Sequence, residues 1–513
     1  MKGTDSLKPS TQRALLLLLA LLLQLSLLVV VILRFQRHMT TFYFVSIAVS
    51  VVAVLWIIRG HDNPAYKIAW IVPIMLFPVF GGMFYLLFGR SKMSRRSRGK
   101  MAFVNETTAR CLGRSPDVVQ QIAATDRHAA VQAAYIQDYA LYPPHANTST
   151  EYLATGEEKF ARLRQALEEA TRFIFLEYFI IEEGLMWNSV LEILRRKVEQ
   201  GVDVRLIYDD LGCVLTLPRD YPRYLEKMGI SVAVFNPLTP VLSLIHNNRD
   251  HRKIAVVDGT VGFTGGINLA DEYINEREKY GHWKDSAVRI EGEAVRSMTV
   301  MFLTMWNYLR PTEDDFAHFL SSLPESTLTP AKGFVQPFAD SPLDFEPVGQ
   351  RVYLNLINKA IDSICITTPY LILDHEMTNA LCSASKGGVA VSIITPYKTD
   401  KWYVQAVTRA NYRPLVEAGV KIYEYIPGFI HSKTFLVDDK YAVVGTINMD
   451  YRSLFLHFEC AVWMFEAECV RDIKQDFLQT LQLSKEASVD DYANLPWHKS
   501  AQSAILQLFA PLM

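Results

Sequence analysis

Cysteine is scarce in this 513-residue chain: Cys111, Cys213, Cys365, Cys382, Cys460 and Cys469 are its six, and no two form a CxxC pair. That excludes a dense disulfide scaffold and a cysteine-built structural zinc, and it suits reduced thiols in a cytosolic setting. There is no HExxH and no low-complexity segment. Neither sign of charge dominates: 52 Lys and Arg stand against 54 Asp and Glu, for a formal net charge of −2. Half of the chain is hydrophobic and 21% is charged, which excludes wholesale disorder. The overall balance conceals a division. Residues 1–100 hold 13 basic and two acidic side chains, a net of +11, and the remainder nets −13. An acidic bulk argues against nucleic acid as a partner, because tracking phosphates takes an excess of cations.

Three long apolar runs occupy the N-terminal region. Ala14–Leu33 has 20 residues interrupted only by Gln24 and Ser26, Phe42–Ile58 has 17, and Ile68–Phe88 has 21. A bilayer core takes about 20 apolar residues as helix, so the first and third are long enough and the second is marginal. A cleaved signal peptide fits the first run poorly, since Arg34-Phe-Gln-Arg37 stands where a small-residue cleavage site belongs. Arg90, Lys92, Arg95, Arg96, Arg98 and Lys100 crowd six cations into the short stretch just beyond the third run. Such a cluster stays cytoplasmic and is drawn to anionic headgroups. Residues 1–100 therefore read as an anchor of two or three spans in the cell membrane, with everything beyond on the cytoplasmic side. Three spans put the N-terminus outside despite Lys2, Lys8 and Arg13; one re-entrant run puts it inside. Residues 101–147 read as a polar helical connector, broken at Tyr142-Pro-Pro-His145.

The rest of the chain repeats itself. His251-Arg-Lys253-Ile-Ala-Val-Val-Asp258 recurs, shifted as a block, as His431-Ser-Lys433-Thr-Phe-Leu-Val-Asp438. The same shift carries Gly265-Gly-Ile-Asn268 onto Gly445-Thr-Ile-Asn448, and a similar one carries Asp285-Ser-Ala-Val onto Glu459-Cys-Ala-Val. Two copies of one domain follow, at 148–320 and 321–513. Each alternates helix and strand, as in Glu157–Ala170, Phe173–Ile181, Leu191–Gln200 and Val202–Tyr208, which indicates an α/β sandwich. The His-x-Lys segments read as strands closed by turns at Asp258-Gly259 and Asp438-Asp439.

Side chains two apart on a strand share a face, so His251 points with Lys253 and His431 with Lys433. Asp258 and Asp438 have opposite parity and are expected to shape the turn. The Gly-rich Gly265-Gly and Gly445-Thr segments allow close approach of a ligand, with Asn268 and Asn448 as amide donors. Brought together about a pseudo-twofold axis, the copies supply two imidazoles, two ammonium groups and two amides. Two lysines offset about two negative charges, which suits a phosphate diester and its pentacoordinate transition state. One histidine serves as nucleophile, the other as acid and then base. Asp285 and Glu459 are candidates to accept from each histidine's second nitrogen and fix its tautomer. No metal or other cofactor is called for.

The paired HxKxxxxD motifs with their GGxN and GTxN segments resemble the phospholipase D superfamily, and within it the bacterial cardiolipin synthases. Phe175-Leu-Glu-Tyr-Phe179, Thr368-Pro-Tyr370 and Gly445-Thr-Ile-Asn-Met-Asp-Tyr-Arg-Ser453 carry the resemblance further. It implies two phospholipase D-type α/β sandwich domains related by a pseudo-twofold axis, behind a transmembrane anchor. It counts His251, Lys253, Asp258, His431, Lys433 and Asp438 as catalytic, and Asn268, Asn448 and both lysines as phosphate-binding. It further implies ping-pong transfer of a phosphatidyl group between two phosphatidylglycerol molecules through a phosphatidyl-histidine, with His251 as nucleophile by analogy. A hydrolytic phospholipase D, transfer to another alcohol, a nuclease of the same superfamily and an inactive scaffold are the alternatives. Two further expectations concern the membrane. Val241–Ile245 and Phe429-Ile430 are placed as an apolar rim dipping toward the bilayer, against the alternative of ordinary core strands. The apolar stretch Ala501–Leu512 is placed against the body of the protein.

Overall fold

The computed structural model describes residues 39–60, 63–78, 80–82, 85, 95–238, 248–310, 316–320, 331–343, 346–488 and 497–512, with scattered positions between 15 and 30. Nine of the 20 residues of Ala14–Leu33, all of Val241–Ile245, and Arg90 and Lys92 lie outside the described residues.

Among the described residues one helix is long and apolar enough to cross a bilayer, Thr40–Arg59. Of the second and third runs, it is the second, expected to be marginal, that makes the long helix. The helix covers 21 residues, Met39–Arg59, because Met39, Thr40, Thr41 and Arg59 extend the shorter apolar run at both ends. At 1.5 Å per residue it is about 30 Å long, the thickness of a hydrocarbon core. The third run is helical over Pro64–Leu76, 13 residues, breaks there, and is helical again at Gly81, Gly82 and Tyr85. Asn63 caps it by accepting from Ala65 N, and it stops at Phe77, ahead of Pro78.

The first copy builds a seven-stranded sheet from β1 (Thr148–Leu153), β2 (Phe173–Tyr178), β3 (Asp203–Asp209), β4 (Ser231–Phe235), β6 (Ile254–Val257), β7 (Val261–Gly265) and β9 (Ala287–Gly292), in the order β1-β9-β7-β6-β2-β3-β4. Two short strands stand apart from it, β5 (Arg249–Asp250) and β8 (His282–Lys284). The second copy repeats the plan with β10 (Phe334–Asp340), β11 (Ser363–Thr367), β12 (Ala390–Pro396), β13 (Lys421–Tyr425), β15 (Thr434–Val437), β16 (Tyr441–Gly445), β17 (His457–Phe465) and β18 (Ser484–Glu486), ordered β10-β17-β16-β15-β11-β12-β13-β18. Its separate short strand is β14 (Gly428–Ile430). In both sheets parallel pairs joined by helices (β2–β3–β4, β11–β12–β13) adjoin antiparallel hairpins (β6–β7, β15–β16).

Local sequence explains the elements. Thr155 and Glu158 form a capping box ahead of Gly156–Glu169: the Thr155 hydroxyl accepts from Glu158 N and the Glu158 carboxylate reaches back to Ala154 N. The hairpin turns need two left-handed residues, and they have them: Asp258 and Gly259 at φ +53° and +72°, Asp438 and Asp439 at +51° and +54°. One large apolar core contains Phe173, Phe175, Val288 and Ile290 of the first sheet together with Phe435, Val443, Val462 and Trp463 of the second, so the copies share an interior. The connector closes against the second copy, with Tyr135 donating to Glu346 and Gln336 donating to the Ala133 and Tyr142 carbonyls.

Candidate active site

The His-x-Lys segments are not regular strands. Residues 251–253 and 431–433 fall between two strands that belong to different ladders, β5 then β6 and β14 then β15. The short strands cross between copies: β5 pairs in parallel with β17, and β14 with β8. The registers Asp250↔Phe458 and Ile430↔Lys284 then bring each histidine opposite the other copy's carboxylate. Backbone bonds seal the junctions, His251 N to Phe458 O (2.9 Å) and His431 N to Lys284 O (2.7 Å).

The result is two crossed pairs. His251 Nδ1 lies 2.9 and 3.0 Å from the two Glu459 oxygens, and His431 Nδ1 lies 2.7 Å from Asp285 Oδ2. Both carboxylates are wholly buried, and both imidazoles nearly so. A carboxylate accepting from Nδ1–H leaves each Nε2 free for chemistry. Lys253 and Lys433 are buried beside them, each donating to the carbonyl of its own histidine. Arg252, the residue between, turns away and pairs with Glu177 (2.6 Å) and Asp250 (3.1 Å) in the interior.

Burial sets the electrostatics, and the two halves differ. It drives His251 down to about 3 against the pull of Glu459, and takes His431 well below its ordinary range, so both imidazoles rest neutral. Burial lowers Lys253 to about 8 and Lys433 to about 7, which Glu459 and Asp285 respectively oppose. It raises Asp285 to about 7 despite Lys433. It would also raise Glu459, but the imidazoles of His251 and His457 outweigh it and hold that carboxyl below the usual range. Near neutrality the Asp285–His431 pair is thus the more readily protonated of the two.

Other expected site residues stand differently. Asp258 accepts from Thr171 N, Thr171 Oγ1, Arg172 N and Phe173 N at 2.7–2.9 Å, and Asp438 from Ile361, Asp362 and Ser363 N at 2.8–2.9 Å. They tie the hairpin turns to the start of β2 and β11, at the far end of a four-residue strand from the histidines. The hydrogen bonds they make here serve the turns. Asn268 accepts from Ile180 N (3.0 Å) and donates to Tyr273 (2.6 Å), whose ring faces His431; it positions the site instead of standing free. The buried Asn448 Oδ1 has no hydrogen-bond partner among the described residues.

The glycines also serve a different purpose from ligand approach. A Cβ at Gly266 would lie 2.1 Å from Asp285 Oδ1, and one at Gly265 would lie 2.3 Å from the Ser286 carbonyl. The space belongs to the carboxylate. In the second copy Thr446 takes that place and its hydroxyl donates to Glu459 Oε2 (2.5 Å). Phe429 is fully buried, 4.9 Å from Trp283 and 5.8 Å from His431 by ring centroids, so it is a core residue behind the imidazole and not a membrane rim. Sequence reasoning missed Trp283 and His457, each two residues before a carboxylate. Trp283 packs 5.7 Å from His431, and His457 5.5 Å from His251 with its Nδ1 3.7 Å from Glu459 Oε1. Extending the repeat alignment two residues upstream would have found both. Among the described residues His251, His457 and Glu459 are the one group whose donor atoms could share a metal ion.

Two half-sites exchanging carboxylates, each with a lysine and a free Nε2, define a phospholipase D-type phosphodiester-transfer centre on a duplicated α/β fold. Comparison with known proteins agrees. Phosphatidylserine synthase of Haemophilus influenzae Rd KW20 superposes with a TM-score of 0.57 at 16% identity, over 74% of this chain and 97% of that one. The family described as "Cardiolipin synthase, PLD-like domain" matches residues 163–306 and 353–481, and the family "Phospholipase_D-nuclease N-terminal" matches 48–90. The chain belongs to the cardiolipin synthase family. It is 35% identical to a cardiolipin synthase of Geobacillus sp. (strain WCH70) over 91% of this chain and 93% of that one. Against a cardiolipin synthase of Halalkalibacterium halodurans the identity is 32%, over 92% and 94%. An uncharacterized protein of Streptococcus mutans is 41% identical over 90% and 99%.

Proposed function

We propose that this protein makes cardiolipin from two phosphatidylglycerol molecules. The crossed His–carboxylate pairs, with both Nε2 atoms free and two buried lysines between them, carry the reading. His251 Nε2 attacks the phosphorus of the first lipid; the P–O bond to glycerol breaks, and glycerol leaves with the proton from the His431 side. His431 then takes the proton from a hydroxyl of the second lipid, whose oxygen attacks phosphorus and breaks the P–N bond. Lys253 and Lys433 neutralise the phosphoryl oxygens, and Asn448 is placed to contribute an amide. The readier protonation of the Asp285–His431 pair favours that half as the acid and leaves His251, beside an ionised Glu459, as the nucleophile. The catalytic copies are residues 148–320 and 321–513, joined by the 101–147 connector to a multi-pass anchor, and they work on the cytoplasmic face on anionic lipid.

The test is purified protein in phosphatidylglycerol vesicles containing EDTA, with lipid products resolved by mass spectrometry. Cardiolipin and free glycerol, abolished by His251→Ala and by His431→Ala, are expected. Phosphatidic acid in their place would make water the acceptor and the protein a phospholipase.

A further inference from the structure

The third apolar run of the sequence is long enough to cross a membrane, yet its path in the structure reverses halfway. Lys67, near the start of the Pro64–Leu76 helix, donates to the carbonyls of Ile58 (3.2 Å) and Gly60 (2.7 Å), at the end of the Met39–Arg59 helix. Farther along, Ser50 Oγ donates to the Pro78 carbonyl (2.6 Å). The two helices therefore run antiparallel, and Pro78 lies level with the middle of the span, nine residues or about 13 Å from Arg59.

There the chain turns. Phe80 N and Gly81 N both return to the Phe77 carbonyl. The following residues go back beside the helix they left: a Cβ at Gly81 would lie 2.5 Å from Ile74 Cα, one at Gly82 2.5 Å from Ser50 Oγ, and Tyr85 packs its ring 5.3 Å from Trp70. Glycine at 81 and 82 is what lets three segments meet this closely.

Both ends of the excursion are fastened to the catalytic body. Before it, Asn63 donates to Asp374 (3.3 Å), and Ala65 packs with Ile372, Val407 and Ala510. After it, the helix Arg95–Leu112 lies on Val295–Leu309, with Lys100 donating to the Tyr308 carbonyl (2.8 Å). The turn itself exposes Met75, Leu76, Phe77 and Phe80, an apolar tip, and the spanning helix likewise exposes Val51, Val52, Leu55 and Ile58.

We propose that residues 64–85 form a re-entrant hairpin that dips into the acyl-chain region of the leaflet facing the catalytic copies and returns on the same side. With Ala14–Leu33 as the other crossing, Lys2, Lys8 and Arg13 lie on the same side as the Arg90–Lys100 cluster, as the positive-inside bias favours. The hairpin rests on the anchor reading above, but its geometry holds whichever face the catalytic copies occupy.

Labelling full-length protein in sealed membrane vesicles with a membrane-impermeant maleimide tests it, in a Cys111→Ser, Cys382→Ser background. Single variants Gln36→Cys, Phe77→Cys and Gly99→Cys are compared before and after permeabilisation; a Cβ at Gly99 meets nothing within 4 Å. The hairpin places Gln36→Cys and Gly99→Cys on opposite sides and protects Phe77→Cys until detergent is added. Labelling of both from one side would mean a full third crossing and overturn the proposal. Protection of Phe77→Cys that survives detergent would assign the tip to a second copy of the chain and would overturn it equally. Cardiolipin formation is measured in parallel, so a failed topology and a failed activity are told apart.

Discussion

Replacing Glu459 by glutamine probes the crossed pairs directly. The carboxylate lies 2.9–3.0 Å from His251 Nδ1 with no solvent access. When His251 becomes phosphorylated its ring turns cationic, and the facing carboxylate contributes about 4 kcal/mol at 4 Å in an effective dielectric of 20. Glutamine removes the charge but can keep a hydrogen bond worth about 1 kcal/mol. The net loss of about 3 kcal/mol corresponds to roughly a hundredfold to thousandfold in rate. Thr446 makes it worse, because its hydroxyl donates to Glu459 and would hold the amide oxygen, turning the NH2 toward His251 Nδ1. That selects the tautomer with a protonated Nε2, and a wrong tautomer alone costs about 10⁴-fold in a Ser-His-Asp enzyme. The assay is a rapid-quench single turnover on phosphatidylglycerol vesicles, following the glycerol burst. Glu459→Gln should retain its fold, lose the burst, and regain part of it when Thr446→Val is added. Activity within about threefold of the parent would refute the argument from tautomer and charge.

Three other outcomes are expected. Glycerol release should fall as pH rises from 7 to 9, because the Asp285–His431 pair gives up a proton near 7 and Lys433 and Lys253, buried with values of about 7 and 8, lose charge in the same window; a rate that climbs through this range would contradict the assignment of the acid. Gly266→Ala pushes a methyl into Asp285 Oδ1 and should cost about a hundredfold in turnover with little change in thermal stability, as a misplacement near 1 Å does; calorimetry alongside the vesicle assay separates the two. Asp258→Asn should do the reverse, since an amide NH2 confronts the backbone donors of residues 171–173: a loss of about 2 kcal/mol in denaturant unfolding, with turnover of the folded enzyme unchanged. A large fall in turnover there would return Asp258 to the catalytic machinery.

Local pattern determined much of this protein. An exact spacing that recurs from His251–Asn268 to His431–Asn448 revealed the duplication, the histidines and the lysines, because covalent sequence keeps such spacings whatever the chain does in space. The Asp-Gly turn was enough to place Asp258 at the hairpin, apart from the histidines. Asp285 and Glu459 could be picked out as partners by the same repeat, but not which histidine each would meet. That depends on β5 joining β17 and β14 joining β8, pairings between segments of different copies, far apart in the chain, that no local propensity encodes. Crossing also explains why neither copy holds a complete half-site by itself. The glycines had a legible purpose, close approach, and an illegible object, since only folding puts the Asp285 carboxyl where a Cβ would be. Membrane runs have the same limit. Hydropathy counts how many residues can lie in a bilayer, whereas direction is decided by contacts such as Ser50 to Pro78, which bend a run of sufficient length back on itself.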